Sequence, residues 1–186
     1  MEWLDPIYNC GHWIPYQISM AGGVDMLSNP GGYSIVTSWE KILQYNPEVL
    51  VVAPCGFNVE RASKEIEKLT ELKGWDELKT VKNKDVFIAD ADLFTCPSLH
   101  LVDGIELLAT LFHPDIFPID EKFRNRCKEL YTGKICPECK KEFTCSSANC
   151  WCSKLPNIMP INPEKGCLCP ECLEGAIAEK SKNYVI

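Results

Sequence analysis

Along the first two-thirds of the chain, blocks of continuous apolar residues alternate with blocks of helical period. Val49-Leu50-Val51-Val52-Ala53 is an unbroken apolar run, the pattern of a strand covered on both faces of a parallel sheet. Val86–Ala89 reads as a second such strand, and Glu2–Asp5 as a short one stopped by Pro6. Helical stretches fall between them. One covers about 13–21 and closes at Gly22-Gly23; another starts on Ser38, carries Glu40 in its first turn and stops at Asn46-Pro47. Asn58 caps a third, whose Ala62, Ile66 and Leu69 share one stripe. Leu99–Phe112 is helical and apolar almost all round, and Asp120–Tyr131 reads as a charged helix. Asn29-Pro30-Gly31-Gly32 is a loop.

Strands separated by helices imply crossover connections, and hence an α/β fold: a small parallel sheet flanked by helices. In such sheets ligands collect at the loops leaving the carboxyl ends of the strands. Three such loops carry the candidate ligand-binding residues. The first brings Tyr8, Gly11, His12 and Trp13, the second Cys55, Gly56 and Phe57, and the third Phe94. Rings with glycines beside them suit a flat, bulky, partly apolar guest. Core packing of the same aromatics is the competing reading. His12, on a glycine-flanked loop, is a candidate metal donor, cobalt included, against the plainer role of bonding to backbone. No phosphate loop and no nucleophile motif is present, so a nucleotide and a catalytic role are both poor readings. The chain is expected not to be an enzyme.

The last third changes character. Eight of the twelve cysteines lie between Cys136 and Cys172: Cys136, Cys139, Cys145, Cys150, Cys152, Cys167, Cys169 and Cys172. A Cys-x-x-Cys pair lets two thiolates from one turn reach a single tetrahedral zinc, and two such pairs flank this segment. So short and polar a stretch buries little by itself, so a zinc-stabilised cysteine-rich mini-domain holding two ions is expected. One pairing unites Cys136, Cys139, Cys169 and Cys172 and leaves Cys145, Cys150, Cys152 and Cys167 for the second ion; an interleaved pairing is equally open. Four thiolates leave no place for water, which makes such a site structural. A disulfide framework and a thiol–disulfide active site at Cys136-Pro-Glu-Cys139 are the alternatives.

Charge narrows the partners. The net charge is −7, with 17 acids against 8 bases before residue 119 and 9 against 11 after it. Neither part clusters lysine and arginine, which makes nucleic acid a poor partner. No segment has the length of a membrane span. Met1-Glu2-Trp3-Leu4-Asp5-Pro6 has an acid where a secretory leader needs bases, so a cytoplasmic location is expected.

Residues 2–118 resemble the C-terminal lobe of cobalamin-binding proteins related to the substrate-binding proteins of ABC importers. The resemblance rests on Glu2-Trp3-Leu4-Asp5-Pro6, Gly11-His12-Trp13-Ile14-Pro15, Ala21-Gly22-Gly23, Ser38-Trp39-Glu40, Val52-Ala53-Pro54-Cys55-Gly56-Phe57, Glu60-Arg61, Leu101-Val102-Asp103-Gly104 and His113-Pro114. It implies two α/β lobes joined by a long helix, with cobalamin held between them. Only the second lobe is covered, so a chain supplying the first is an expected partner. Where relatives carry an arginine-rich cleft loop, this chain has Leu93-Phe94-Thr95-Cys96-Pro97-Ser98-Leu99-His100. Residues 136–177 resemble the cysteine-rich CWC family through Cys150-Trp151-Cys152 and the eight cysteines, which implies zinc binding.

The expected organisation is therefore an α/β lobe over 1–118, a helical linker over 119–134, a zinc domain over 135–177 and a tail over 178–186. The expected function is cobalamin or corrinoid binding, with a zinc-binding interaction module attached. A zinc-dependent adaptor with a vestigial lobe and a thiol oxidoreductase are the competing readings.

Overall fold

A computed structural model of the protein describes residues 1–146 and 167–182. The chain forms two compact units, 1–130 and 131–186.

In the first unit the elements are β1 (Trp3–Leu4), β2 (Ile7–Asn9), α1 (Ile14–Met20), β3 (Ile35–Val36), α2 (Trp39–Tyr45), β4 (Leu50–Val52), α3 (Val59–Glu65), α4 (Glu67–Thr70), α5 (Lys79–Lys82), β5 (Val86–Ala89), α6 (His100–Phe112) and β6 (Cys127–Glu129). Strands β4 and β5 pair in parallel, Leu50 opposite Val86 and Val52 opposite Ile88. This bears out the α/β class. Met1 and Glu2 run beside β4 in the same direction: the Met1 ammonium donates to Val51 O, and the Ala53 and Cys55 amides donate to Met1 O and Glu2 O. Immediately afterwards the chain turns away, and β1 pairs antiparallel with β2, which pairs with β3. The first predicted strand is thus split between two sheets.

The local signals act as read. Ser38 Oγ accepts from the Lys41 amide at the start of α2, and Asn58 Oδ1 from the Arg61 amide at the start of α3. Asn46, at φ 50°, ends α2 before Pro47. Ala62, Ile66 and Leu69 are fully buried on one stripe. The core gathers Phe87, Ala89, Leu93, Phe94, Leu107 and Leu108 under α1 and α6. Helix α6 is less enclosed than its composition suggests, because Leu99 and Val102 face solvent while Gly104, Leu107 and Leu108 are buried.

The expected helix over 120–131, and with it the helical linker over 119–134, does not form. A single 3-10 turn at Glu121–Phe123 leads into β6, which pairs antiparallel with β5. Phe123, Cys127 and Leu130 are buried in the first unit, and their spacing of four and three mimics a helical stripe. Competition from the open edge of β5 turns that stripe into an anchor. The first unit accordingly runs to Leu130 rather than 118.

The second unit contains a hairpin, β7 (Tyr131–Ile135) with β8 (Glu142–Ser146), and the helix α7 (Pro170–Lys182). Proline at the first helical position has no amide to leave unpaired, so the second Cys-Pro-Glu-Cys opens a helix. Helix α7 runs through residue 177, so no boundary between domain and tail falls there. No described helix is long and apolar enough to cross a membrane.

Candidate functional site

The tips of the sheet meet around a small hollow of about 190 Å³, lined by Glu2, His12, Trp13, Ser34, Cys55 and Thr95, with Ile14 and Phe94 behind them. Four of the eight predicted ligand residues, His12, Trp13, Cys55 and Phe94, come together here. Backbone hydrogen bonds build the wall. The His12 amide donates to Gly32 O at 2.5 Å, and the Gly31 amide donates to His12 O at 2.9 Å. These bonds pull the 29–34 loop onto the 10–13 loop. A side chain at Gly11 would run into the backbone of Tyr33 and Ser34, so only glycine permits this approach. Trp13 is tied across the hollow, its Nε1 donating to Phe94 O at 2.6 Å.

The other four behave differently. Gly11 is buried and structural, as just described. Tyr8 sits in β2 between Trp3 and Val36 and does not line the hollow. Gly56 takes φ 75° with open space around it, so the turn, not a close neighbour, requires glycine there. Phe57 is a correction: its ring is buried, with Trp3 edge-on at 5.3 Å and the Arg61 guanidinium 3.7 Å over its face. Buried and with the guanidinium over its face, the ring offers no platform to a guest. Phe94 is also buried, and contributes its carbonyl to Trp13 more than its ring to the hollow.

Sequence reading missed Glu2, Ser34 and Thr95. Ser34 donates to the Glu2 carboxylate, closing one side of the hollow. Thr95 was within reach, one residue past Phe94. Ser34 was not, because only the closure of two distant loops brings it in.

A larger hollow of about 580 Å³ lies at the entry end of β4, against Val49, Ile18, Phe112 and Leu108. Several of its polar groups are already paired. The Asp25 carboxylate accepts from Asn9 Nδ2, from Cys10 Sγ and from the Leu27 amide. Burial, with Asp25 adding to it, pushes the Cys10 thiol up to about 12, so it stays protonated. His113 also lines this hollow.

In the second unit Cys136, Cys139, Cys169 and Cys172 bring their sulfurs within 4.8 Å of one another. The first pair sits on the hairpin loop, where the Cys136 amide donates to Lys141 O and the Lys140 amide to Cys136 O. The second pair occupies the start of α7. Cys139 and Cys169 sulfurs are 3.5 Å apart, too far for a disulfide bond of about 2.05 Å. Sulfurs about 2.3 Å from a central zinc in a tetrahedron lie about 3.8 Å apart, so the donor set fits that ion. Desolvation opposes the Cys136 thiolate, yet the backbone amides of Cys169, Cys139 and Glu138 outweigh it and hold its pKa down at about 6. Cys172, hydrogen-bonded to Cys169 and Cys139, is pushed up to about 12. Among the described residues this is the one such group. Cys167 is exposed beside it. Cys145 pairs with Thr132 in the hairpin, while Cys150 and Cys152 lie outside the described residues.

The first unit is thus a small α/β unit with a hollow at the ends of its strands. More particularly, residues 7–93 match the family described as periplasmic binding protein. The chain is also similar to the uncharacterized ABC transporter substrate-binding lipoprotein YvrC of Bacillus subtilis (strain 168), at 35% identity over 78 residues, covering 42% of this chain and 22% of that protein. Among solved structures, the TroA-like periplasmic binding protein FepB from Veillonella parvula aligns at 24% identity and a TM-score of 0.48, over 60% of this chain and 36% of that one. An ABC-type Fe3+-hydroxamate transport system from Saccharomonospora viridis DSM 43017 aligns at 21% and 0.45, over 56% and 36%. The chain thus spans about a fifth of the length of the first relative and about a third of the solved structures. The matched family is one of binding proteins, in keeping with a non-enzymatic role. It also overturns the cytoplasmic expectation: the family is periplasmic and the relative a lipoprotein, both extracytoplasmic.

Proposed function

We propose that the first unit is one lobe of an ABC-importer substrate-binding protein and that its strand-tip hollow receives one face of a planar metal chelate, a cobalamin or related corrinoid. The observation that carries this reading is the junction of His12, Trp13, Cys55 and Phe94 around one hollow, on a segment that matches binding proteins. At about 190 Å³ the hollow is smaller than the ~300–1,000 Å³ usual for a complete small-molecule site. That size suits contact from one side, with a second lobe covering the rest. A half-covered guest leaves much of its surface in water, so affinity falls below that of a two-lobed site. Titration of the isolated chain with cyanocobalamin by calorimetry is expected to give a dissociation constant in the micromolar range or weaker, on the order of −8 kcal/mol or less favourable. Trp13→Ala should abolish that binding and Val49→Phe, in the larger hollow, should leave it unchanged. Nanomolar binding by a monomer, or loss on Val49→Phe alone, overturns the reading.

The second unit supports a companion reading, a structural zinc ion held by Cys136, Cys139, Cys169 and Cys172, with the module serving as an interaction domain. Its carrying observation is the convergence of the four sulfurs. Metal analysis should find zinc bound to the chain, with thiols released to titration only after chelation. A chain without zinc, whose two Cys-x-x-Cys pairs cycle between thiol and disulfide, would favour the oxidoreductase instead.

A further inference from the structure

We infer that His12 is a metal donor, its imidazole occupying an open coordination position on the metal of the chelate seated in the strand-tip hollow. The inference rests on the preceding reading and specifies how the guest is held. His12 has φ 53°, in the left-handed region that few residues with a side chain enter, though histidine does so more readily than most. Its neighbours hold it there: its amide and carbonyl are both bonded to the Gly31-Gly32 loop, and Gly11 before it has no room for a side chain. The result is an exposed imidazole held out on a fixed backbone, with Trp13 at 5.7 Å and Tyr33 edge-on at 5.5 Å limiting its swing. Among the described residues no hydrogen bond engages either ring nitrogen, and the ring contacts are its recorded partners.

The other donors in the hollow narrow the chemistry. The donors that line the hollow are the imidazole, the Cys55 thiol and the Glu2 carboxylate, one of whose oxygens already accepts from Ser34. Among the described residues these do not form a converging group of three or more donors that could hold an ion. A bare ion would therefore find an incomplete shell here. A metal that brings its own equatorial ligands needs one more donor, and one imidazole is enough. The step is a ligand exchange without oxidation or reduction. The bond from the metal to a labile water breaks, a bond from the metal to a ring nitrogen of neutral His12 forms, and the water leaves.

Two forms of one guest separate this contact from ordinary burial. Aquocobalamin offers an exchangeable axial water, whereas cyanocobalamin blocks that position with cyanide. The full-length, zinc-loaded chain carrying Cys55→Ser is titrated with each, so that a thiolate–cobalt bond cannot intervene. The aquo form is expected to bind at least about tenfold more tightly, about 1.4 kcal/mol, with a shift in its visible absorption bands. His12→Asn should erase both the preference and the spectral shift, the aquo form then binding no more tightly than the cyano form, since asparagine tolerates the left-handed backbone. Equal affinity for the two forms, or a preference that survives His12→Asn, overturns the inference and leaves the corrinoid reading standing. Failure to bind either form overturns both.

Discussion

The two units of this chain are held by different physics. In the first, burial does the work: Val52, Ile66, Leu69, Val86, Ile88 and Leu107 are completely enclosed, and hydrogen-bonded caps such as Ser38 and Asn58 only set where helices begin. In the second, the residues described as buried are Cys136 and Cys169, themselves members of the sulfur cluster. Among the described residues of that unit no other side chain is buried. On the zinc reading proposed above, the same chain stores stability in two separable forms, one spread over many weak contacts and one concentrated in four sulfurs. The second form is then the one expected to fail on the loss of a single member.

The sharpest way to break the comparison is to remove one sulfur. Cys136→Ser, or a strong chelator, is expected to unfold the second unit outright, since structural zinc contributes about 10–16 kcal/mol in small zinc-dependent folds. Limited proteolysis and metal analysis check this, and the first unit should keep its denaturation midpoint. If the second unit resists both treatments, the sulfurs are not what holds it.

The converse test is Leu107→Ala. It leaves a cavity beneath α6 and is expected to cost about 2–5 kcal/mol in the first unit, read by denaturant unfolding, with zinc content unchanged. Gly104→Ala sharpens the point. Alanine ordinarily stabilises a helix interior over glycine by about 1 kcal/mol. Here the new methyl would strike Leu93 O and the Gln17 amide, which itself bonds to Leu93 O and Leu101 O. A net loss of about 1–3 kcal/mol is expected, and a gain in stability would show that α6 can shift away from Leu93.

The smallest effect concerns thiols. Burial pushes Cys10 and Cys127 up to about 12 from an ordinary 9.0, so the native chain holds these protons more tightly than the unfolded chain does. Their contribution to stability is complete below pH 9.0 and is lost as the pH rises towards 12. At neutral pH the exposed Cys55 and Cys96 should label readily with a thiol reagent while Cys10 and Cys127 do not. Mass spectrometry of labelled peptides reads the difference, and rapid labelling of Cys127 would mean that β6 peels from the sheet edge.

What the sequence made legible was local. Caps, helix stops, the apolar runs of β4 and β5 and the Cys-x-x-Cys spacing each depend on residues a few positions apart, and each appears as read. What failed involved competition at a distance. Phe123, Cys127 and Leu130 have helical spacing, and only the unpaired edge of β5 decides against a helix. Phe57 was placed correctly at a strand tip, but its ring is buried against Trp3 and beneath Arg61. Ser34 reaches the hollow through the bonds between His12 and Gly32, a closure over twenty positions that no periodicity announces.

Asp90 follows β5 and does three jobs with one carboxylate and one amide. Its Oδ1 accepts from the Val59 amide that opens α3, its Oδ2 accepts from Arg126 Nε, and its own amide donates to Arg126 O. The turn after one strand, the helix after its neighbour and the approach to β6 are therefore locked to a single point. Removing that carboxylate would therefore loosen three elements at once rather than one.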